Sequence, residues 1–285
     1  MIIAHISDIH LPTTRPRLQE LVGKRFLAFL SWHHKRKKIH RPEVTQALLK
    51  DMRAQQPDHI CVTGDVVNAS FKSEFEQAMK WLEDLAPPKH ISFVPGNHDA
   101  LVKSAEQQKG RYFWRWAESD DHSNKLPYIQ RKGKVAFIGL DSAVATLPFL
   151  AQGELGEEQL ARLAACLQQT KDEGLYRVVL IHHPPLPGMA SWRKGLRDAA
   201  QLEVVLQECG ADVVLHGHNH CPMQKTLETV DGATYIYGVG SGSMAHGHGK
   251  KKAAHYQVLR ITDSGIEVTQ KIYNAQQQKF VAFAP

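Results

Sequence analysis

Short apolar runs, each followed by polar residues, alternate along this chain with segments of helical periodicity. The apolar runs are typical of buried strands and lie at residues 2–7, 58–63, 90–94, 177–181 and 212–215. The amphipathic segments predict helices at residues 42–53, 72–85, 157–171 and 198–208. Residues 128–131 and 135–140 predict a pair of strands, and the part from residue 223 to residue 273 predicts antiparallel strands. This order predicts an α/β fold in which two sheets pack face to face with helices outside.

Two segments do not fit the repeat of strand and helix. Residues 17–41 have the pattern of an amphipathic helix, whose apolar face consists of Leu18, Leu21, Val22, Phe26, Phe29, Leu30 and Trp32. Residues 101–125 have no clear period but contain four aromatic side chains, and we expect a partly helical insertion that covers the functional site. No other feature marks a boundary. The sequence therefore predicts a single domain over residues 1–285 with these two insertions.

The positive charge of the chain is concentrated near its N-terminus. The formal net charge is +6 and the isoelectric point is about 9.1. Residues 17–53 contain ten basic and three acidic residues, so their net charge of 10 − 3 = +7 exceeds the net charge of the whole chain. The high isoelectric point therefore does not indicate that the whole protein binds nucleic acid. With 285 residues, 42% of them hydrophobic, the chain is long enough to bury a sizeable core.

Cysteine spacing and the start of the chain give an expectation for the cell compartment of the protein. Cys61, Cys166, Cys209 and Cys221 form no Cys-x-x-Cys pair, which predicts reduced thiols in a cytosolic protein. A strand begins at residue 2, so we expect no signal peptide before the fold. No apolar run in the sequence has the length of a membrane span. These observations predict a cytoplasmic protein.

The run Val94-Pro95-Gly96-Asn97-His98-Asp99 follows one of the apolar strands. Pro and Gly end that strand and impose a tight turn, which delivers three polar side chains at its carboxyl end. Open α/β sheets place their chemistry at this end of the strands. Taken alone, the run could equally be an ordinary polar loop, so its interpretation depends on the rest of the chain.

Four more apolar runs end in groups that can bind metal ions. The five sets are Asp8 with His10, Asp65, Asn97 with His98, His182, and His218 with His220. Each set alone is more often a turn or a rigid loop, but strands that share a direction deliver such groups to one edge of a sheet. Imidazole, carboxylate and amide ligands suit divalent or trivalent Mn, Fe or Zn. These groups are too many for one ion and predict a site for two.

In type and order these motifs resemble the signature of the calcineurin-like metallophosphoesterase superfamily, which is Asp-x-His, Gly-Asp, Gly-Asn-His-Asp or -Glu, His, and Gly-His-x-His. All five blocks occur between residues 8 and 220. The resemblance implies a four-layer αββα double β-sandwich with a dinuclear metal centre. It implies that Asp8, His10 and His220 hold the first ion, that Asn97, His182 and His218 hold the second, and that Asp65 bridges them. It also implies attack on phosphorus by a metal-bound hydroxide.

The same resemblance implies catalytic roles for the two residues after Asn97. His98 would lie beside the substrate, where it steadies phosphate charge or protonates the leaving oxygen. Asp99 would orient His98 without itself binding a metal ion. His183 has a simpler interpretation, as a spacer before the two prolines that follow it.

Departures from the signature distinguish branches of the superfamily. The Ser/Thr protein phosphatases continue Gly-Asp with a second Asp and an Arg, where this chain has Asn68 and Ala69, and they prefer Glu at the position of Asp99. The chain is more similar to the bacterial class III cyclic nucleotide phosphodiesterases. The UDP-diacylglucosamine pyrophosphohydrolases are a second similar branch, on the metal motifs and a basic amphipathic insertion. The resemblance implies hydrolysis of a phosphodiester or pyrophosphate bond in a nucleotide or nucleotide-linked substrate.

The partner of segment 17–41 stays open at this point. Its apolar face and the basic cluster at residues 35–38 suit an anionic membrane surface, here the inner face of the membrane. The face could equally pack on the domain, and nucleic acid is the weakest alternative because the basic segment carries an apolar stripe. Three alternatives therefore stand beside a soluble phosphodiesterase: a membrane-surface pyrophosphatase acting on a UDP-linked lipid, a nuclease, and a metal-binding scaffold without turnover.

Overall fold

The structure, a computed structural model, describes residues 1–123, 125–247, 251–262 and 265–283. Its helices are α1 (Gly23–His34), α2 (Pro42–Ala54), α3 (Lys72–Leu85), α4 (Lys103–Phe113), α5 (Glu157–Asp172) and α6 (Ala199–Cys209). Its strands are β1 (Ile2–Ile6), β2 (His59–Val62), β3 (Ile91–Phe93), β4 (Tyr128–Lys132), β5 (Val135–Gly139), β6 (Tyr176–Leu180), β7 (Val213–His216), β8 (Met223–Thr229), β9 (Gly232–Gly238), β10 (His255–Thr262), β11 (Gly265–Asn274) and β12 (Lys279–Phe283). Asn124, in the predicted insertion at 101–125, lies outside the described residues.

The strands form two mixed sheets of six strands each. The first sheet has the order β12-β11-β10-β1-β2-β3, and the second has the order β4-β5-β6-β7-β9-β8. β1, β2 and β3 run parallel to one another, as do β5, β6, β7 and β9. Parallel neighbours bring their carboxyl ends to the same edge of a sheet. The predicted α/β fold with two face-to-face sheets is confirmed.

Three apolar layers hold the sheets and helices together. Because side chains alternate along a strand, Ile3 is buried between the two sheets, whereas its neighbour Ala4 faces α2 and α3. In the second sheet Val178 lies between the sheets and Val179 faces α5 and α6. Burial of each large apolar side chain contributes about 1.5–3 kcal/mol. The layers therefore follow the order αββα.

The strands of the C-terminal part divide between the two sheets. β8 and β9 extend the second sheet, whereas β10, β11 and β12 extend the first. The prediction of antiparallel strands is correct for the pairs that these strands form with one another. It is incomplete for β9, which also pairs in parallel with β7. β12 lies beyond the part of the sequence in which strands were expected.

Segment 17–41 contains the predicted helix as α1. Its Phe29 packs on Phe71, with ring centroids 6.2 Å apart, and its Trp32 is buried beside His40. Lys24 Nζ donates to Thr146 Oγ1 at 2.7 Å and so ties the start of α1 to a loop of the domain. One part of the apolar face is therefore in contact with the domain. Throughout the described residues, no helix has the length and apolar character needed to cross a bilayer.

The aromatic side chains of residues 101–125 contribute mainly to the core. Phe113 and Trp116 are buried in the layer between the first sheet and its helices, and Tyr112 stacks on Phe75 with ring centroids 4.7 Å apart. Trp114 is exposed. Phe113 and Trp116 therefore fill an apolar layer, and the expectation that the insertion covers the functional site stays a prediction.

Candidate metal centre

The carboxyl ends of β1, β2, β3, β6 and β7 meet at one edge of the sandwich, and the predicted ligands lie in the loops that follow these strands. Two hydrogen bonds join the two sheets there. His182 Nδ1 donates to the carbonyl oxygen of Thr63 at 2.6 Å, and the backbone N–H of His218 donates to Asp8 Oδ2 at 2.9 Å. With Nδ1 donating, the neutral form of His182 presents a lone pair at Nε2.

The chain leaves β1, β2 and β7 through residues in the left-handed backbone conformation. Ten non-glycine residues in the described part of the chain have positive φ angles. Five of the ten are predicted ligands, namely Asp8, His10, Asp65, His218 and His220. Each such residue costs on the order of 1 kcal/mol relative to ordinary backbone. The concentration of this strain at one edge indicates that the turns are maintained for the site and not for the fold alone.

One group of ligand atoms comes from Asp8, His10, Asp65 and His220, all of which are buried. His220 Nε2 lies 3.0 Å from Asp8 Oδ1 and 3.4 Å from His10 Nε2. His10 Nε2 lies 3.9 Å from Asp8 Oδ1 and 3.9 Å from Asp65 Oδ2. These atoms form a compact set of two carboxylate oxygens and two imidazole nitrogens.

A second group of ligand atoms comes from Asp65, Asn97, His182 and His218. His182 Nε2 lies 3.2 Å from Asn97 Oδ1 and 3.2 Å from His218 Nδ1. It lies 3.5 Å from Asp65 Oδ2. Asp65 Oδ2 therefore lies next to both groups, which is the position that a bridging ligand needs.

The donor atoms in both groups fit metal ions. Ligand bonds of about 2.1 Å place neighbouring donors of a tetrahedral or octahedral ion about 3.0–3.4 Å apart. Burial lowers the pKa of His10 and His218 well below the ordinary value, and that of His220 to about 4. These rings are therefore neutral at pH 7, which is the form that binds a metal. Two neighbouring sets of this kind suit a pair of ions such as Mn, Fe or Zn.

The two carboxylates of the centre differ in their surroundings. Burial raises the pKa of Asp65 to about 8, although the charge of His182 opposes this shift. Burial acts on Asp8 as well, but His220, which is protonated at the low pH where Asp8 titrates, outweighs it through its charge and hydrogen bond and holds the pKa of Asp8 well below its usual range. A cation beside Asp65 would supply the positive charge that stabilises the ionised form of this carboxylate.

Two glycines allow the loops of the first sheet to approach each other. A Cβ atom on Gly64 would lie 2.4 Å from the Gly96 backbone nitrogen, and one on Gly96 would lie 2.3 Å from Asp65 Oδ1. Gly64 also has a φ angle of +89°. A side chain at either position would therefore displace Asp65 or strain the backbone.

The Asp99 carboxylate fastens the same two loops. Its Oδ2 accepts hydrogen bonds from the backbone N–H groups of Asp65 and Gly96 at 2.8 Å, and its Oδ1 accepts from Val66 and Val67 at 3.2 Å. The predicted contact between Asp99 and the His98 ring is not found, because the Asp99 carboxylate accepts hydrogen bonds from these four backbone amides instead. Asp99 positions the loop that carries Asp65.

The His98 ring is oriented from two other sides. Its Nδ1 donates to the carbonyl oxygen of Asn68 at 2.6 Å, so its Nε2 accepts, and the donor is Arg36 Nη1 at 3.0 Å. Burial and the neighbouring Arg36 charge hold the pKa of His98 well below its ordinary value. His98 is therefore neutral, with its Nε2 lone pair directed at a guanidinium group.

Two residues of segment 17–41 enter the site without having been predicted. One is Arg36, and the other is His40, whose ring centroid lies 4.7 Å from that of His10. Ligand atoms of His40, His10 and His220 lie within 4.8 Å of one another. Both residues belong to a basic stretch that carries no motif, so only the path of the chain reveals their position.

His183 also reaches the edge of the centre. Its Nδ1 lies 2.8 Å from Ser142 Oγ, and its ring centroid lies 4.6 Å from that of His218. Its side chain is buried. It supports the His218 ring by packing, and the interpretation of His183 as a mere spacer is incomplete.

Fold and geometry together define a class of proteins, the four-layer α/β sandwiches whose strand ends carry two adjoining His/Asp ligand groups. Within that class, the chain belongs to the calcineurin-like phosphoesterase family, because the model of this family matches residues 1–222. The recognition of the family from its five motifs is confirmed.

Curated relatives and solved structures agree with this assignment. The chain is 29% identical over 185 residues to the 3′,5′-cyclic adenosine monophosphate phosphodiesterase CpdA of Escherichia coli (strain K12). The aligned region covers 62% of this chain and 60% of that protein. It is 30% identical over 187 residues to the glycerophosphodiester phosphodiesterase GpdQ of Enterobacter lignolyticus (strain SCF1). Here the aligned region covers 66% of this chain and 58% of that protein. The chain thus spans about 60% of the length of the curated relatives it matches.

Similarity of fold extends over nearly the whole chain. A dimetal phosphatase from Danio rerio superposes with a TM-score of 0.63 at 12% identity, over 99% of this chain and 98% of that one. The purple acid phosphatase PPD1 from yellow lupin superposes with a TM-score of 0.55 at 13% identity, over 99% of this chain and 52% of that one. At these identities the comparison supports the fold alone.

Proposed function

We propose that this protein is a metal-dependent phosphoester hydrolase that cleaves a phosphodiester or pyrophosphate bond in a nucleotide or nucleotide-linked substrate. The observation that carries the proposal is the pair of ligand groups that share Asp65 Oδ2, 3.9 Å from His10 Nε2 and 3.5 Å from His182 Nε2. Two adjacent ions are suited to a phosphoryl displacement.

The residues of the two groups would have distinct tasks. Asp8, His10 and His220 would hold the first ion, Asn97, His182 and His218 would hold the second, and Asp65 would serve both. When bound, the ions supply Lewis-acid activation of water and neutralise charge on the phosphate. The protein holds these side chains in place through left-handed turns and through Asp99. Asn68 and Arg36 hold His98 beside them through its two ring nitrogens.

The relatives favour a phosphodiester as the reacting group. Both relatives are named as phosphodiesterases, one for a cyclic nucleotide and one for a glycerophosphodiester. The run Gly64-Asp65-Val66-Val67, without the second Asp and Arg of the protein phosphatases, supports the same class. We therefore place a soluble, cytoplasmic phosphodiesterase first among the candidate functions.

Metal depletion tests this function directly. We expect chelated protein to hydrolyse neither bis(p-nitrophenyl) phosphate nor 3′,5′-cyclic AMP, and we expect manganese to restore hydrolysis as metal content approaches two ions per chain. The physical reason is that both ligand groups need an ion to polarise water and phosphate. Fully loaded protein that cleaves no phosphodiester, pyrophosphate diester or oligonucleotide would contradict the proposal and support a scaffold role.

A second candidate function places a pyrophosphatase at the membrane surface, acting on a nucleotide-linked lipid. The observation that favours it is a set of exposed apolar side chains in segment 17–41 and in the loop at residues 147–149, here called the apolar rim: Leu18, Val22, Phe26, Leu27, Leu147 and Phe149. Lys24 joins the two parts of this rim through Thr146 and Leu150. Exposed lysines follow at Lys35, Lys37 and Lys38. An anionic bilayer complements both the apolar side chains and the positive charge.

Removing apolar side chains from the rim tests the membrane contact. We expect the double variant Val22→Ser and Phe26→Ser to bind vesicles of phosphatidylglycerol and phosphatidylcholine about 10- to 100-fold more weakly in a sedimentation assay, because two partly inserted apolar groups are lost. Both side chains are exposed, so the fold should persist. The matched control changes two other exposed valines to serine, Val204 on α6 and Val230 in the turn between β8 and β9. Equal binding of the two double variants would exclude the rim as a lipid contact.

A further inference from the structure

Arg36 is a basic residue of segment 17–41 whose side chain ends inside the candidate metal centre. Its Nη1 donates to His98 Nε2 at 3.0 Å. Its Nε and Nη2 atoms are buried and have no hydrogen-bond partner. A buried guanidinium with two unused donors is costly unless an anion or an acceptor occupies the site. The arrangement therefore points to a ligand that Arg36 is prepared to bind.

The two unused nitrogens lie on one edge of the guanidinium plane. Nε and Nη2 form the side-on fork that binds two oxygens of a phosphate or carboxylate with parallel hydrogen bonds. His98 occupies only Nη1, and His98 is itself fixed by Asn68. The histidine therefore orients the arginine, and the fork stays open. In the described part of the chain, no carboxylate oxygen forms an ion pair with Arg36.

The charge at this position exceeds what one phosphodiester needs. Two bound ions would already neutralise the phosphate under attack. Arg36 adds a positive charge beside His98, and Lys251 adds another with its Nζ 3.5 Å from His220 Nδ1. A cyclic nucleotide carries one negative charge at neutral pH, whereas a pyrophosphate diester carries two. The additional positive charge complements a second phosphate group.

We propose that Arg36 binds, through Nε and Nη2, the phosphate that neighbours the reacting one, and that the preferred substrate is a pyrophosphate diester. The inference rests on the proposed function and favours the pyrophosphate bond on the contacts of Arg36, whereas the names of the relatives favour a phosphodiester. It also assigns a role to segment 17–41, which brings a substrate-binding residue to the centre that the five motifs do not supply.

Arg36→Ala separates the two bond types. With manganese-loaded protein, we expect kcat/KM for diadenosine pyrophosphate to fall about 10- to 100-fold, the size of charge-assisted hydrogen bonds to one phosphate. We expect kcat/KM for bis(p-nitrophenyl) phosphate, which has no second phosphate, to fall less, so that the ratio of the two kcat/KM values drops about tenfold or more. Arg36→Lys should not restore the pyrophosphate activity, because an ammonium group lacks the fork. The control Lys37→Ala, which removes an exposed charge from the same turn, should retain both activities.

A binding measurement supplies the second readout. We expect Arg36→Ala to weaken binding of α,β-methylene-ADP about tenfold or more by calorimetry, with manganese content equal to that of wild type. Equal losses on both substrates, or unchanged binding of the diphosphate, would overturn the role assigned to Arg36. Wild-type protein that hydrolyses neither substrate would overturn the proposed function instead, so the two failures are distinguishable.

Discussion

Asp65→Asn is expected to lower kcat/KM on any phosphoester by about 10³-fold or more, because Lewis-acid stabilisation by a metal pair is worth several kcal/mol and each 1.36 kcal/mol is tenfold. Asp65 is the side chain that both ligand groups share. Asparagine keeps the size and leaves an oxygen to accept the His98 backbone N–H, which Asp65 Oδ1 accepts at 2.7 Å. The substitution therefore removes mainly the charge. Metal content, measured by plasma emission spectrometry, should fall with activity.

Asp58→Asn is the matched control for Asp65. Asp58 precedes β2, the strand that Asp65 follows, and its Oδ2 accepts the backbone N–H of Ile2 at 2.7 Å. It therefore bonds a backbone amide at the opposite end of the same strand, away from the ligand groups. We expect this variant to retain metal and activity. An Asp65→Asn protein that keeps both ions and wild-type turnover would show that Asp65 is not a shared ligand.

Asp99→Asn should have the largest effect on stability. Four backbone amides donate to the Asp99 carboxylate, from 2.8 to 3.2 Å, and the side chain is fully buried. An asparagine NH₂ group would face two of these donors and leave them unsatisfied. At about 1–3 kcal/mol for each buried unsatisfied group, we expect a loss of about 3 kcal/mol in the free energy of unfolding. Thermal unfolding of the metal-free protein, followed by circular dichroism, measures the effect without involving catalysis.

Asp120→Asn provides the comparison for this loss. The Asp120 carboxylate is exposed and accepts the backbone N–H of Arg131 at 2.7 Å. We expect less than about 1 kcal/mol for this change, because water can replace the lost partner. If the two variants unfold at the same temperature, the four amide contacts of Asp99 do not hold the loops together as described.

The loop held by Asp99 explains how the fold and the centre depend on each other. Gly64 and Gly96 meet at a distance that excludes a side chain, and Asp99 bonds the backbone on both sides of this contact. Asp65 is positioned by the contact and not by its own strand alone. Residues that bind no metal therefore contribute to the geometry of the ligands.

Much of the fold was predictable from local patterns. The bounds of α3 agree with the sequence at both ends, and the strands before Asp8, Asp65, Asn97, His182 and His218 lie where apolar runs end in turn residues. Periodicity and turn chemistry act over a few residues, so they can be recognised along one chain. The same local signals located the candidate ligands. Their roles as ligands stay predictions until metal content is measured.

The contacts between distant segments were not predictable in this way. Charge alone indicated a basic cluster around Arg36, but only the tertiary structure directs this side chain to His98, 62 residues away in sequence, and leaves its neighbour Lys37 exposed. Likewise, Asp99 was expected to bond its neighbour His98 and bonds the Asp65 loop instead. Such contacts depend on how separate elements pack, which no local period encodes.

The sequence by itself determined which residues stand at the strand ends, and with them the family. The tertiary structure alone decided which of these side chains face each other and which parts of segment 17–41 are buried. The physical reason is that a strand and its turn are fixed by neighbouring residues, whereas the path of an inserted segment is fixed by apolar contacts such as Phe29 with Phe71. Those contacts bring Arg36 into the centre and leave the apolar rim exposed.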